Sequence, residues 1–159
     1  QNQHYNFNKS EAEDLCSKLL NLKKNNSKIN LLVLTSRRTV DPIKKILKKN
    51  LSSISTIWLG EGPNPYEFAL KYSKFFIVTS DSTSMISESA ITGKPIYIYN
   101  LPFKRVSKRF EKFHNEFKNL NITRDFNDKI ILENWEYKPL NESKRISGII
   151  KERIIKDKL

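Results

Sequence analysis

The chain has 159 residues and a net charge of +12, from 29 lysines and arginines against 17 aspartates and glutamates. That length suits one domain with a real core; no run approaches a membrane span, and no signal-peptide pattern opens the chain. The single cysteine, Cys16, excludes an internal disulfide and a cysteine-cluster metal site, and His4 and His114 lack metal-ligand spacing, so no metal and no cofactor is expected.

The positive charge is mostly lysine scattered through predicted helices among asparagines and isoleucines, a mix that a biased genome composition produces as easily as function does. Without an aromatic–glycine RNA signature, a zinc finger or an arginine-rich arm, nucleic acid ranks last as a partner. The chain starts Gln-Asn-Gln without a methionine, so a fragment or processed product lacking an upstream part is expected.

Residues 1–8 read as a lead-in, an edge strand or loop carrying Tyr5 and Phe7. Asn8 or Ser10 caps a helix over 9–25, whose buried stripe is Ala12, Leu15, Cys16, Leu19 and Leu22. Residues 29–34 form an apolar run suited to a central parallel strand buried on both faces. It empties into a polar elbow, Thr35-Ser36-Arg37-Arg38-Thr39, before a helix over 41–49 with Pro42 in its first turn. Arg37 and Arg38 could grip a diphosphate through forked hydrogen bonds, with Ser36 beside them; the alternative is surface charge. A third strand-helix passage follows, with the strand at 54–59 and the helix at 66–72. Between them Gly60 to Pro65 is rich in turn residues; it lies after a strand, so Asn64 joins the ligand candidates, and a plain tight connection is the alternative.

The stretch 75–100 organises the rest. Its apolar opening is a strand at 75–79, and its end a strand at 96–99. Between them a polar elbow from Thr79 to Ser84 runs into a short helix with one apolar side, carrying Met85, Ile86, Ser89, Ala90 and Ile91, that Gly93 and Pro95 stop. Ligands of open parallel sheets bind at the carboxyl ends of strands, and a helix's first turn offers free N–H groups and the positive end of its dipole. Asp81, Ser82, Thr83, Ser84 and Met85 are therefore candidate ligand contacts, and Glu88, one turn in, is placed to accept from ribose hydroxyls. The alternative is that Ser82 or Thr83 caps the helix and Glu88 faces water.

A basic helix is expected over 104–119, with Phe110, Phe113 and Phe117 inward and Lys104, Arg105, Lys108, Arg109 and Lys112 crowding its start. Residues 120–140 look irregular, anchored by Ile130, Ile131, Leu132, Trp135 and Tyr137. A last helix over 142–156 carries Ile146, Ile149, Ile150 and Ile154.

At TSDSTSMISESAITGKPIYIYNLP, from Thr79, the chain resembles the mitochondrial-fission elongated-mitochondria family of plants and bacteria. Arg109-Phe110 and LENWEYKPLNESKRIS at 132–147 continue the likeness, as do HYNF at 4–7, LTSRRT at 34–39 and GPNPY at 62–66. The resemblance implies the C-terminal domain of a two-domain, glycosyltransferase-B type protein, the half that holds a nucleotide-sugar donor. Glu88, Gly93, Lys94 and Pro95 are also similar to the serine–glutamate pattern of peptidoglycan-precursor glucosaminyltransferases, which implies Glu88 on a ribose and Ser82 to Ser84 near the diphosphate. Those enzymes usually carry a glycine in this elbow, where this chain has Asp81-Ser82-Thr83-Ser84, and Ser89 stands where alanine is commoner. Plant members are associated with recruiting a dynamin-like protein to mitochondria.

The expected fold is α/β: a doubly wound, mostly parallel, Rossmann-like sheet of at least four strands in the order 2-1-3-4, in one nucleotide-sugar-binding domain. The expected partners are a nucleoside diphosphate or nucleotide-sugar and a missing N-terminal domain. The expected location is cytoplasmic, with a peripheral membrane position as the alternative. Enzymatically, the reading is a glycosyltransferase-like protein of which this domain alone is inactive, its catalytic residues unknown. The competing reading is a non-catalytic interaction module, using the basic helix and Trp135 with Tyr137.

Overall fold

The computed structural model describes residues 4–128 and 131–140. The helix expected over 142–156, with its isoleucine stripe, and Ile130 lie outside the described residues. Helices and parallel strands alternate, giving the α/β class, and the chain divides into two compact units.

The first unit holds residues up to Tyr72 together with Leu101–Arg105 and residues 127, 128 and 131. It contains α1 (Lys9–Asn25), β1 (Leu31–Leu34), α2 (Asp41–Leu51), β2 (Ser55–Trp58) and α3 (Tyr66–Tyr72). The predicted stripe on α1 is buried from Ala12 to Leu22, and α1 packs on α2, whose Ile43, Leu47 and Leu51 are buried. The Glu11 carboxylate accepts the Asn8 N–H at 2.8 Å, tying down the start of α1. β1 and β2 pair in parallel, Leu31 opposite Ser55 through Leu34 opposite Trp58. All four β1 residues are half-buried, not the fully covered central strand that the apolar run implied. The lead-in is an edge pairing: Tyr5 bridges Phe103 antiparallel, their rings stacked at 4.7 Å.

The second unit holds Ser73–Asn100, Val106–Phe126 and the described residues from Leu132 to Leu140. It contains β3 (Phe76–Thr79), α4 (Thr83–Ile91), β4 (Ile96–Tyr99), α5 (Lys108–Asn119) and β5 (Thr123–Asp125). The three strands form a parallel sheet in the order β3-β4-β5. The pairings thus make two sheets instead of one in the order 2-1-3-4, although the expected β1–β2 and β3–β4 neighbours are present. β5 is an additional strand within 120–140, a stretch whose sequence looks irregular.

β4 is the strand covered on both faces: Ile96, Tyr97, Ile98 and Tyr99 are all buried. α4 packs against β3 and β4, and α5 against β5. α5 starts at Lys108, later than expected, because Ser107 caps it by accepting the Phe110 N–H. Lys104 and Arg105 therefore precede the helix, and Glu111 stands in its first turn to offset Lys108 and Arg109. Phe110, Phe113 and Phe117 are buried as their spacing implied.

Residues 132–140 are a strap fastened to the sheet. The buried Trp135 donates Nε1–H to the Asn121 carbonyl at 2.9 Å and meets Tyr97 edge-on, ring centroids 5.1 Å apart. The Arg124 guanidinium lies 4.1 Å from the Trp135 ring and bonds Glu133 at 2.9 Å. Tyr137 donates its hydroxyl to the Lys94 carbonyl, and burial pushes its phenol well above the usual range. Gly93, at φ +75° after α4, leaves room for Pro139: a Cβ there would stand 3.4 Å from its ring. The G-K-P and W-x-Y-x-P blocks are thus two sides of one joint. Trp135 is buried in that joint, and Tyr137 is half-buried with its hydroxyl engaged there.

Candidate functional site

In the second unit the carboxyl ends of three parallel strands converge in register. Thr79 lies opposite Tyr99, and Ile98 opposite Asp125, so Ser80, Asn100 and Asp125 mark one edge. Ser80 is buried; its N–H donates to the Tyr99 carbonyl at 3.0 Å, carrying the ladder one residue past β3. The chain then turns, with the Ser82 N–H on the Thr79 carbonyl at 3.0 Å, and enters α4.

Ser82 occupies the cap position but makes no cap bond. Its hydroxyl instead stands 3.4 Å from Thr79 Oγ1 and 3.5 Å from Asp81 Oδ1. The capping alternative for Ser82 therefore fails, and the first N–H groups of α4 have no side chain drawn over them. Thr83 is buried and Met85 half-buried beside them.

Behind that turn, Ser84 Oγ and Ser87 Oγ are both buried and lack hydrogen-bond partners. Ser87 is 0% exposed. Three residues apart on a helix, the two share a face, and their Cβ bonds tilt toward the helix start. An unpaired buried hydroxyl costs about 1–3 kcal/mol, so two within one turn are unusual. α4 is in fact buried on this small polar side as well as through Ile86 and Ala90, while Ile91, expected on the apolar side, is 41% exposed. Glu88 follows Ser84 by one turn, half-buried and engaged with neighbours, so it does not simply face water.

The remaining candidates lie in the first unit. The Ser36 hydroxyl is taken up locally: it accepts the Arg38 N–H at 3.2 Å and stands 3.4 Å from Thr39 Oγ1. Arg37 and Arg38 are exposed at this turn. Asn64 Oδ1 accepts the Tyr66 N–H at 3.0 Å, so its side chain starts α3, the tight-connection alternative for that loop. Of the ten candidates, Asp81, Ser82, Thr83, Ser84, Met85 and Glu88 fall together on one elbow and helix.

Four residues not singled out as ligand candidates complete the edge. Asp125 accepts from Asn100 Nδ2 at 2.9 Å and from Lys118 Nζ at 3.0 Å. Burial would raise its carboxyl, but those hydrogen bonds, with the Lys118 and His114 charges, hold it below the usual carboxylate value. His114 Nε2 lies 2.9 Å from the Ser80 carbonyl oxygen. Asn100 ends β4, and His114 and Lys118 stand four apart on α5; both were legible signals once β5 was known. Among the described residues no three His, Cys, Asp or Glu side chains cluster to hold a metal, and no helix is long and apolar enough to cross a membrane.

Residues 1–154 match the model of the family described as "Mitochondrial fission ELM1". The chain is 38% identical over 155 residues to "Uncharacterized protein RP120" of Rickettsia prowazekii (strain Madrid E), covering 94% of this chain and 43% of that protein. It is 28% identical over 146 residues to "Mitochondrial fission protein ELM1" of Arabidopsis thaliana, covering 90% of this chain and 33% of that protein. The chain thus spans less than half the length of these relatives. No solved structure matches it.

Proposed function

The chain belongs to the mitochondrial fission ELM1 family, and from that premise we propose that it binds a nucleoside diphosphate, alone or within a nucleotide-sugar, at the start of α4. The observation that carries this reading is the pair of buried, unpartnered hydroxyls on Ser84 and Ser87, behind a helix start that Ser82 leaves uncapped. Phosphate oxygens are acceptors only; they need N–H and O–H donors and a positive dipole end, and this turn presents all three. Asp81 would face a bound sugar or water, and Glu88 would accept from ribose hydroxyls. Within the first unit taken by itself, Arg37 and Arg38 are separately proposed as an anion contact at the end of β1.

Glycosyl transfer on such a scaffold needs no metal, because dipole and cations offset the diphosphate charge. Transfer itself is proposed for a second half, for which the greater length of the relatives leaves room; this chain alone binds donor weakly and turns nothing over. Calorimetry with uridine, guanosine and adenosine diphosphates tests the reading. One of them binds, and Glu88→Ala weakens it about tenfold, the usual weight of a charged hydrogen bond. A folded chain that binds none of them contradicts the reading.

A second reading, an interaction module that kept the fold and lost the chemistry, draws on Val106, which is 68% exposed in the basic stretch from Lys104 to Arg109. Charge reversal at Lys104, Arg105 and Lys108 would then abolish partner capture, and unchanged capture excludes that surface.

A further inference from the structure

We propose that His114 is a positioning residue for the elbow, its Nε2–H holding the Ser80 carbonyl and so aiming the first turn of α4. A carbonyl oxygen only accepts, so the proton on this 2.9 Å contact belongs to Nε2. Ser80 is 2% exposed and donates its own N–H to Tyr99 at 3.0 Å. Both main-chain polar groups of the residue that leaves β3 are therefore tied, one to β4 and one to α5. Two residues later the helix cap begins, so any rotation of the Ser80 carbonyl swings Asp81, Ser82 and the helix start with it.

The same face of α5 carries Lys118, four residues on, which pairs with Asp125 at 3.0 Å while Asn100 bonds that carboxylate at 2.9 Å. The ends of β3 and β5 are joined directly to this face, and the end of β4 is joined to it through Asp125. The His114 ring also packs edge-on to Phe113, centroids 5.3 Å apart, so an apolar ring would satisfy packing alone. Beyond packing, the imidazole supplies the Nε2–H donor to the Ser80 carbonyl and a charge felt by Asp125. The inference rests on the proposed anion site for what the elbow holds, and on geometry alone for how the elbow is held.

The experiment compares His114→Phe, His114→Gln and His114→Asn with the parent chain. Glutamine carries an N–H donor at the Nε2 position, asparagine only at the Nδ1 position. Two readouts are taken: backbone amide resonances of residues 81–84 without ligand, and the Kd for uridine diphosphate. His114→Phe and His114→Asn shift those amides and weaken binding roughly five- to tenfold, and His114→Gln restores both. If His114→Phe does not fold, the Asn and Gln pair decides. Parent-like amides in His114→Asn, or a glutamine variant as defective as asparagine, overturn the inference. If the parent itself binds no uridine diphosphate, that outcome counts against the anion site, and the amide shifts still decide the role of His114.

Discussion

Ser87→Ala should make the chain more stable. The Ser87 hydroxyl is fully buried and has no partner, so removing it relieves a desolvation cost of about 1–3 kcal/mol. Alanine is also the better helix former, by roughly 0.5 kcal/mol. Against these stands the loss of one oxygen's packing contacts, about 0.5 kcal/mol or less at ~0.1–0.2 kcal/mol per close atom pair. The net is a gain of about 1–3 kcal/mol, which for a chain of this size raises Tm by roughly 2–12 °C. The assay is urea unfolding followed by circular dichroism, with a thermal scan beside it. Thr35→Val is the control: Thr35 Oγ1 donates to the Trp58 carbonyl at 3.1 Å, so its loss should destabilise by about 1 kcal/mol. If Ser87→Ala destabilises as Thr35→Val does, the hydroxyl already has a protein partner and is not held for a ligand. The complementary expectation is that a bound nucleoside diphosphate stabilises the parent more than Ser87→Ala.

The Asp125 carboxyl is held below its ordinary value, so its pairing contributes stability above the unfolded pKa, near 4, and loses it as pH falls through the folded value. Urea midpoints between pH 7 and pH 3 should therefore fall less steeply in Asp125→Asn; an identical acid limb contradicts the assignment. Tyr137→Phe removes the donor on the Lys94 carbonyl and should cost about 1 kcal/mol, read as a lower urea midpoint; an unchanged midpoint would mean the strap is not fastened there. Burial pushes the Cys16 thiol up to about 11, so iodoacetamide at pH 8 should label it only through unfolding; labelling at the rate of a free thiol in native buffer would exclude its buried position.

Most elements announced themselves through local chemistry. The stripe from Ala12 to Leu22, the phenylalanines of α5 and the stop at Gly93 depend on spacing and backbone freedom, which a sequence displays. β5 did not, because Thr123-Arg124-Asp125 is three residues with no apolar alternation. It is a strand because β4 offers a ladder and because Trp135 covers Arg124, both non-local facts. The pairing of strands into two sheets is equally non-local. α5 starts at Lys108 and not at 104 because Ser107, a one-residue cap signal set in a run of cations, fixes its start.

The elbow was visible as serines and threonines between a strand and a helix, but their hydroxyls looked alike. Only tertiary packing separates Ser82, turned to Thr79 and Asp81, from Ser84 and Ser87, sealed without partners. Asn64 shows the converse: its type suited a ligand and a helix start equally, and the fold uses it for the helix start.

The most direct measurement is a crystal of the chain grown with the nucleoside diphosphate that calorimetry selects. The expected density has phosphate oxygens about 3 Å from the N–H groups of residues 83–85, with the Ser84 and Ser87 hydroxyls directed at them. A diphosphate bound elsewhere, with those two hydroxyls still unpartnered beneath an empty helix start, would contradict the proposal.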